Sequence, residues 1–234
     1  MNHHVRPVPP SAHGSSALAL HRPCLACDLR EHFPGTPLAS AIQTHHWPAH
    51  ALVYRQQGPI LRLHTVCSGL GALQRLSEHG QERTIRLVEP GDVMGLEGLV
   101  GLSAQSNAIT LLPTHTCSIP LEALRDHARQ DAWLSQTLHV LWMAALQRAD
   151  FVIAELSTGS ARARVARLLL HLTELCGAHG TPDLPRSDMA SLMGLTVETV
   201  SRTMATLQRD GLVSHRQGLL LCQPEQLKAE SVAG

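Results

Sequence analysis

One stretch limits the architecture more than any other: Leu184 to Val213, reading LPRSDMASLMGLTVETVSRTMATLQRDGLV. Asp188 through Met193 make a compact first helix, with Ser187 or Asp188 placed to cap its free N–H groups. Gly194 follows, and a residue without Cβ permits a sharp turn at positive φ. Thr196 is then the N-cap of a second helix that runs to about Arg209. On it Val197, Val200, Met204 and Leu207 recur at threes and fours and form one apolar face. Glu198, Ser201, Arg202 and Thr203 are left outside. This is a helix-turn-helix, a unit whose second helix can enter a DNA major groove.

The outer face carries base-reading chemistry. Arg202 can donate two hydrogen bonds to guanine, Glu198 can accept from a cytosine amino group, and Ser201 can do either. Thr196 and Thr199 flank them and complete the candidate DNA-binding set. A solvated face with ordinary charges accounts for the periodicity alone; the ordered residues GLTVETVSR are more specific. Asp188 to Arg209, and Thr196 to Arg202 above all, resembles the recognition element of the Crp/Fnr transcription regulators, with the Glu-Thr-Val-Ser-Arg run closest to the Fnr branch. The resemblance implies a homodimer on double-stranded DNA. Glu198, Ser201 and Arg202 would read an inverted repeat similar to TTGAT-N4-ATCAA, and RNA polymerase would be a further partner.

At 234 residues there is room for two modest domains, each with its own core. No run approaches the ~18 consecutive apolar residues of a membrane span, and the opening MNHHVRPVPPSAHGSS has no apolar signal core. The expectation is a cytoplasmic protein with no membrane partner. Net charge is zero, so any grip on nucleic acid must come from locally placed cations. Lys228 is the only lysine; every other basic residue is Arg, the side chain suited to two-pronged phosphate and guanine contacts.

The rest of the chain divides in order. Residues 1–20 are Pro-, His- and Ser-rich without periodicity, a flexible arm. Residues 21–130 are a sensory domain, whose Trp47–Pro120 region shows short β-prone runs between turn pairs such as Gly58-Pro59, His79-Gly80 and Pro90-Gly91. It resembles the cyclic-nucleotide-binding β-roll of the same family, with Gly69 and Gly95 where that fold turns. The period becomes helical over 131–157, where Leu134, Leu138, Leu141, Ala145, Ala149, Val152 and Leu156 form one stripe. The family resemblance makes this the dimerisation helix, with Leu134, Leu138, Leu141, Ala145, Ala149 and Val152 at the interface. Ser157 to Ser160 are the hinge, and 160–234 a winged helix-turn-helix ending in a frayed tail from Glu225. The fold class expected is α+β: a cyclic-nucleotide-binding-like β-roll, a long dimerisation helix and a C-terminal winged helix-turn-helix.

Two inputs are weighed for the roll. A cyclic nucleotide needs a cation on its phosphate, and no Arg or Lys occurs from Val93 through Pro120, which argues against cyclic AMP. Cys24-x-x-Cys27 has metal-binding spacing, and Cys117 stands where Fnr proteins carry their distant cluster cysteine. The resemblance therefore suggests a [4Fe–4S] cluster on Cys24, Cys27 and Cys117. The family's third cysteine is here Phe33, leaving Asp28, His32 or Cys67 to substitute, although Cys67 also reads as a plain core thiol. Cys176 and Cys222 read as buried small hydrophobes. Zinc, haem or cofactor-independent sensing are the alternatives, and His45-His46 reads as a loop feature. A cupin-like metalloenzyme would need His64, His79 and Glu82 to converge, without the usual spacing for it; the expectation is no enzyme.

Overall fold

The computed structural model describes residues 24–76, 82–176 and 180–232. The arm over 1–20, the His79-Gly80 turn and Gly177 lie outside the described residues. Numbered in chain order, two four-stranded antiparallel sheets make the N-terminal part. One runs β1 (Gln43–Trp47), β8 (Thr114–Pro120), β3 (Arg62–Ser68), β6 (Val93–Met94). The other runs β2 (Leu52–Tyr54), β7 (Asn107–Thr110), β4 (Gly71–Leu76), β5 (Glu82–Val88). His45 and His46 therefore sit on a strand, not in a loop; Trp47 anchors that strand by donating from Nε1 to Thr116 Oγ1 at 3.0 Å.

Strand alternation builds the layers. Val66, Leu73, Val88, Met94 and Ala108 point between the sheets and close the roll. On the opposite face of the first sheet, Leu63, Cys117 and Ile119 pack under α1 (Leu25–His32), α2 (Pro37–Ser40), α3 (Leu121–Ala128) and the start of α4 (Ala132–Phe151). On the outer face of the second, Ala72 and Leu87 pack against α5 (Ala161–Cys176) and the C-terminal helices. Gly69, at φ +94°, makes the β3–β4 turn; a Cβ there would lie 2.4 Å from the Pro113 carbonyl oxygen.

The long helix begins where Asp131 accepts from the Leu134 N–H at 2.7 Å and passes into one π turn over Val152–Leu156. Its stripe is corrected by the structure. Leu134, Leu138, Val152 and Leu156 are buried within their own chain, with Leu141 and Ala145 partly buried beside them. The exposed large apolar residues are Trp133, Val140, Trp142, Met143, Leu146 and Ile153. The helix is apolar on two sides: Leu134, Leu138 and Val152 face their own chain, whereas Ala145 and Ala149 are half-buried and share an open cleft with Trp142, Leu146 and Ile153.

The C-terminal part adds β9 (Thr181–Pro182), α6 (Arg186–Met193), α7 (Val197–Arg209), β10 (Val213–Arg216), β11 (Leu219–Cys222) and α8 (Pro224–Val232). Two expectations are revised. The N-cap of α6 is Pro185, whose carbonyl accepts from Asp188 and Met189, so Ser187 and Asp188 lie inside the first turn. The tail is a helix, pinned by buried Leu227 and by Glu230 paired to Arg162 at 2.8 Å.

Candidate functional site

Helix α7 is built to show one face. Val200, Met204 and Leu207 are fully buried, and Thr196 caps the N-terminus, its Oγ1 accepting from the Thr199 N–H at 3.2 Å. Glu198, Ser201 and Arg202 are exposed on the other side. The Glu198 carboxyl is held below its usual range by its own backbone N–H, the Thr196 hydroxyl and the Arg202 charge, so it is an ionised acceptor. Thr196 is exposed; Thr199 is half-buried, its hydroxyl shared with Thr196 at 3.0 Å. Val197, assigned to the apolar face, is 44% exposed, because the first helical residue precedes the point where that face meets the core.

Beside α7, β10 and β11 form the wing. Its two-residue turn, Gln217 at φ +52° and Gly218 at φ +78°, carries Arg216 into solvent at the tip. Gly194, at φ +63°, makes the turn between α6 and α7 as its sequence position implied. The Arg83 guanidinium of β5 lies against that glycine, and the Ser191 hydroxyl of α6 accepts from the Thr84 N–H at 3.1 Å. The first helix of the unit thus rests on the roll while the second stays open.

A buried ionic knot joins the long helix, the roll and α5. Glu89, wholly buried, meets Arg148 at 2.7 Å and also bonds His171 Nε2; Arg148 reaches Asp92 at 3.1 Å. Burial pushes the Asp92 carboxyl up against the opposing pull of Arg148. No sequence pattern linked these residues, which lie on separate elements. Between the roll and α4 is a cleft of about 470 Å³ lined by Glu97, Gln105 and Ser106, with Arg83 and Arg86 entering from β5. The run without a cation spans only Val93 through Pro120, and the two arginines come from the strand that precedes it.

The cysteines converge, and the residue that completes the set is Cys67. Its sulfur lies 3.7 Å from Cys24 and 3.5 Å from Cys117, and all three sulfurs fall within 4.8 Å of one another. Cys27, exposed one turn along α1, lies outside this convergent set. The thiols share their protons unevenly. Hydrogen bonds from Cys24 and Cys67 hold Cys117 far below the usual thiol range, whereas Cys24, bonded to Cys117, Cys27 and Cys67, is pushed up. Cys27 comes down to about 7 through its bond to Cys24. Phe33 stands in no ligand position; its ring packs edge-on to His32 and Trp133. His32 is stacked on Trp133, and Asp28 is absent from the convergent set. Cys176 is buried and Cys222 half-buried against the C-terminal core, as small hydrophobes.

The set can hold a metal. A cubane offers one iron to each of four thiolates, so two ligating sulfurs are separated by a whole iron–iron edge plus both iron–sulfur bonds splayed outward. Sulfurs at 3.5 and 3.7 Å are too close for that arrangement, and the thiols do not fit a [4Fe–4S] cluster. Among the described residues no group of His and carboxylates converges in a similar way; His64 and Glu82 stand in different sheets.

Comparison with known proteins gives a consistent picture. Residues 163–230 match the Crp-like helix-turn-helix domain and residues 44–131 the cyclic nucleotide-binding domain. The anaerobic regulatory protein of Pasteurella multocida is 27% identical over 70% of this chain, a match that spans 62% of that protein's length. Electron transport regulator A of Shewanella oneidensis is 28% identical over 69% of this chain and 67% of its own. Among solved structures, FixK2 from Bradyrhizobium japonicum superposes with a TM-score of 0.73 at 23% identity, covering 82% of this chain and 98% of that one. A CRP/FNR-family regulator from Thermus thermophilus does so with a TM-score of 0.65 at 25% identity, over 81% and 98%.

Proposed function

This chain belongs to the Crp/Fnr family of transcription regulators, and from that membership we propose that it works as a homodimer reading an inverted DNA repeat similar to TTGAT-N4-ATCAA. One observation carries the reading: Glu198, Ser201 and Arg202 stand exposed together on the outward face of a capped helix whose inward face is fully buried. Arg202 donates to guanine, Glu198 accepts from a base amino group, and Ser201 meets a neighbouring edge. Arg216 on the wing is placed to meet a phosphate. Two-fold DNA sites need two copies, and the exposed Trp142 and Leu146 on α4, with Ile153 on the π turn that follows, supply an apolar stripe for the second. The protein acts by binding, without catalysis, in the cytoplasm, with RNA polymerase as its downstream partner.

The input is oxygen, redox state or a related small signal, received at the thiol corner. Support comes from the convergence of Cys24, Cys67 and Cys117 and from the names of relatives that regulate anaerobic and electron-transport responses.

A band-shift titration with single-base variants of the repeat tests the DNA reading. Arg202→Ala should weaken binding to the intact site by ~1–3 kcal/mol and blur the preference at one base pair per half-site. Unchanged selectivity in that variant overturns the assignment. A duplex with only one half-site should bind far more weakly than the full repeat.

A further inference from the structure

We propose that Cys24, Cys67 and Cys117, with Cys27 as the fourth sulfur, hold a single divalent ion of the zinc class. The spacing makes the case. Four thiolates around one zinc at ~2.3 Å sit at tetrahedral corners ~3.8 Å apart, and the observed 3.7 and 3.5 Å separations match that edge.

The fold explains how residues so distant in sequence meet. Cys117 on β8 pairs with Thr65 on β3, and Cys67 lies two residues beyond Thr65 on the same face. The β3–β8 ladder slips between Val66 and Ser68, leaving Cys67 unmatched at the bulge and turned toward Cys117. Helix α1 then covers this face. Its N-cap residue, Cys24, makes no side-chain cap bond, and its sulfur points instead at Cys67. Cys27 follows one turn later on the same helix, exposed and outside the convergent three, so its side chain must turn inward to complete the set.

The charge balance suits a cation. Three ordinary core thiols would gain nothing by meeting at this point, since S–H groups are weak donors and weak acceptors. A disulfide would use two of them and strand the third. A divalent ion uses all, releasing their protons to solvent on binding. The softness of sulfur and the small tetrahedral frame select zinc-class ions over calcium or magnesium. Such an ion ties α1 to β3 and β8. Through Leu29, Leu134 and Leu138 it also bears on the start of α4, so its loss would loosen the packing beneath the long helix.

The full chain, reduced and stripped of metal under anaerobic conditions, is titrated with Co²⁺ alone and then with Zn²⁺. The expected result is one Co²⁺ per chain, with the strong visible bands of tetrahedral cobalt thiolate, erased by one equivalent of Zn²⁺. Cys67→Val, which keeps the packing volume without the sulfur, should lower Zn²⁺ affinity by more than the ~10-fold lost with an outer-sphere partner. Cys27→Ser, at an exposed position, should change the cobalt spectrum while the far-ultraviolet circular dichroism stays the same. Cys222→Ser should bind as the parent does. Three outcomes would each overturn the proposal: no stoichiometric Co²⁺ band, parental affinity in Cys67→Val and Cys27→Ser alike, or anaerobically purified chain carrying iron with acid-labile sulfide on these cysteines. None of these readouts involves DNA, so they stand or fall apart from the regulator reading.

Discussion

The recognition helix and the thiol corner are two ways of building a site from the same chain. Helix α7 is a single run of thirteen residues in which cap, buried face and displayed face follow from helical spacing alone. The thiol corner draws on α1, the end of β3 and the middle of β8, elements up to 93 positions apart. A site of the first kind exists as soon as its helix forms. One of the second kind exists only if a strand register, a bulge and a covering helix are all correct. The outer face of α7 should therefore tolerate change without loss of fold, whereas assembled features should transmit damage widely.

The strongest test lies in the Glu89 knot, the other assembled feature. Glu89→Ala takes away the carboxylate that Arg148 and His171 both meet, leaving the Arg148 guanidinium with Asp92 alone in a largely buried place. Breaking such a pair typically costs ~3–5 kcal/mol. Urea denaturation should show that loss as a lower midpoint, with an additional effect on the docking of α5 because His171 belongs to it. A change below about 0.5 kcal/mol, the level of a neutral surface substitution, would mean that the knot is not structural and would erase the contrast with α7.

Within α7 the two faces can be set against one another. Leu207→Ala deletes a side chain with no exposure and should cost ~2–5 kcal/mol in stability. Arg202→Ala, five residues earlier on the open face, should leave the melting temperature within a degree or two while DNA selectivity falls. If both substitutions destabilise the protein alike, the open face is not free and its three polar residues are holding the fold together.

This division also marks how much was legible in the sequence. The two helices, the glycine turn and the Thr196 cap were readable because each depends on neighbours within four positions. The order of roll, long helix and winged unit was readable from changes of period. Failures occurred where a choice depended on tertiary partners. Leu134, Leu138 and Val152 have the spacing of an interface stripe, yet the roll occupies that side, and Trp142, Leu146 and Ile153 are the ones left open. Cys67 is one of three possible substitutes for the missing ligand but reads more readily as a core thiol, because nothing in VCSG announces a bulge or names the strand that will lie beside it. One signal was available: Leu63, Thr65 and Cys67 share a face by simple alternation, and a register placing Cys117 opposite Thr65 brings the two sulfurs together. Deriving that register needs the fold first. The tail was misjudged for a similar reason, since Leu227 and Glu230 stabilise α8 only through α5.

The smallest expected effect is also the most discriminating, since it concerns a residue assigned to both roles. Thr196 was a candidate DNA contact, and the structure gives it the cap of α7 and a hydrogen bond to the Thr199 hydroxyl. Thr196→Ala removes the cap and should cost ~1 kcal/mol of stability; Thr196→Ser keeps an acceptor in place and should restore most of it. If Thr196 acts only as a cap, both variants retain full base selectivity, and any loss of DNA affinity follows the loss of helix stability. If it also touches the duplex, Thr196→Ala weakens binding beyond that loss, and the deficit persists at temperatures where α7 is fully formed. Calorimetry paired with band shifts on the same preparations separates the two outcomes, and decides whether the displayed face of α7 begins at its cap or only at Glu198.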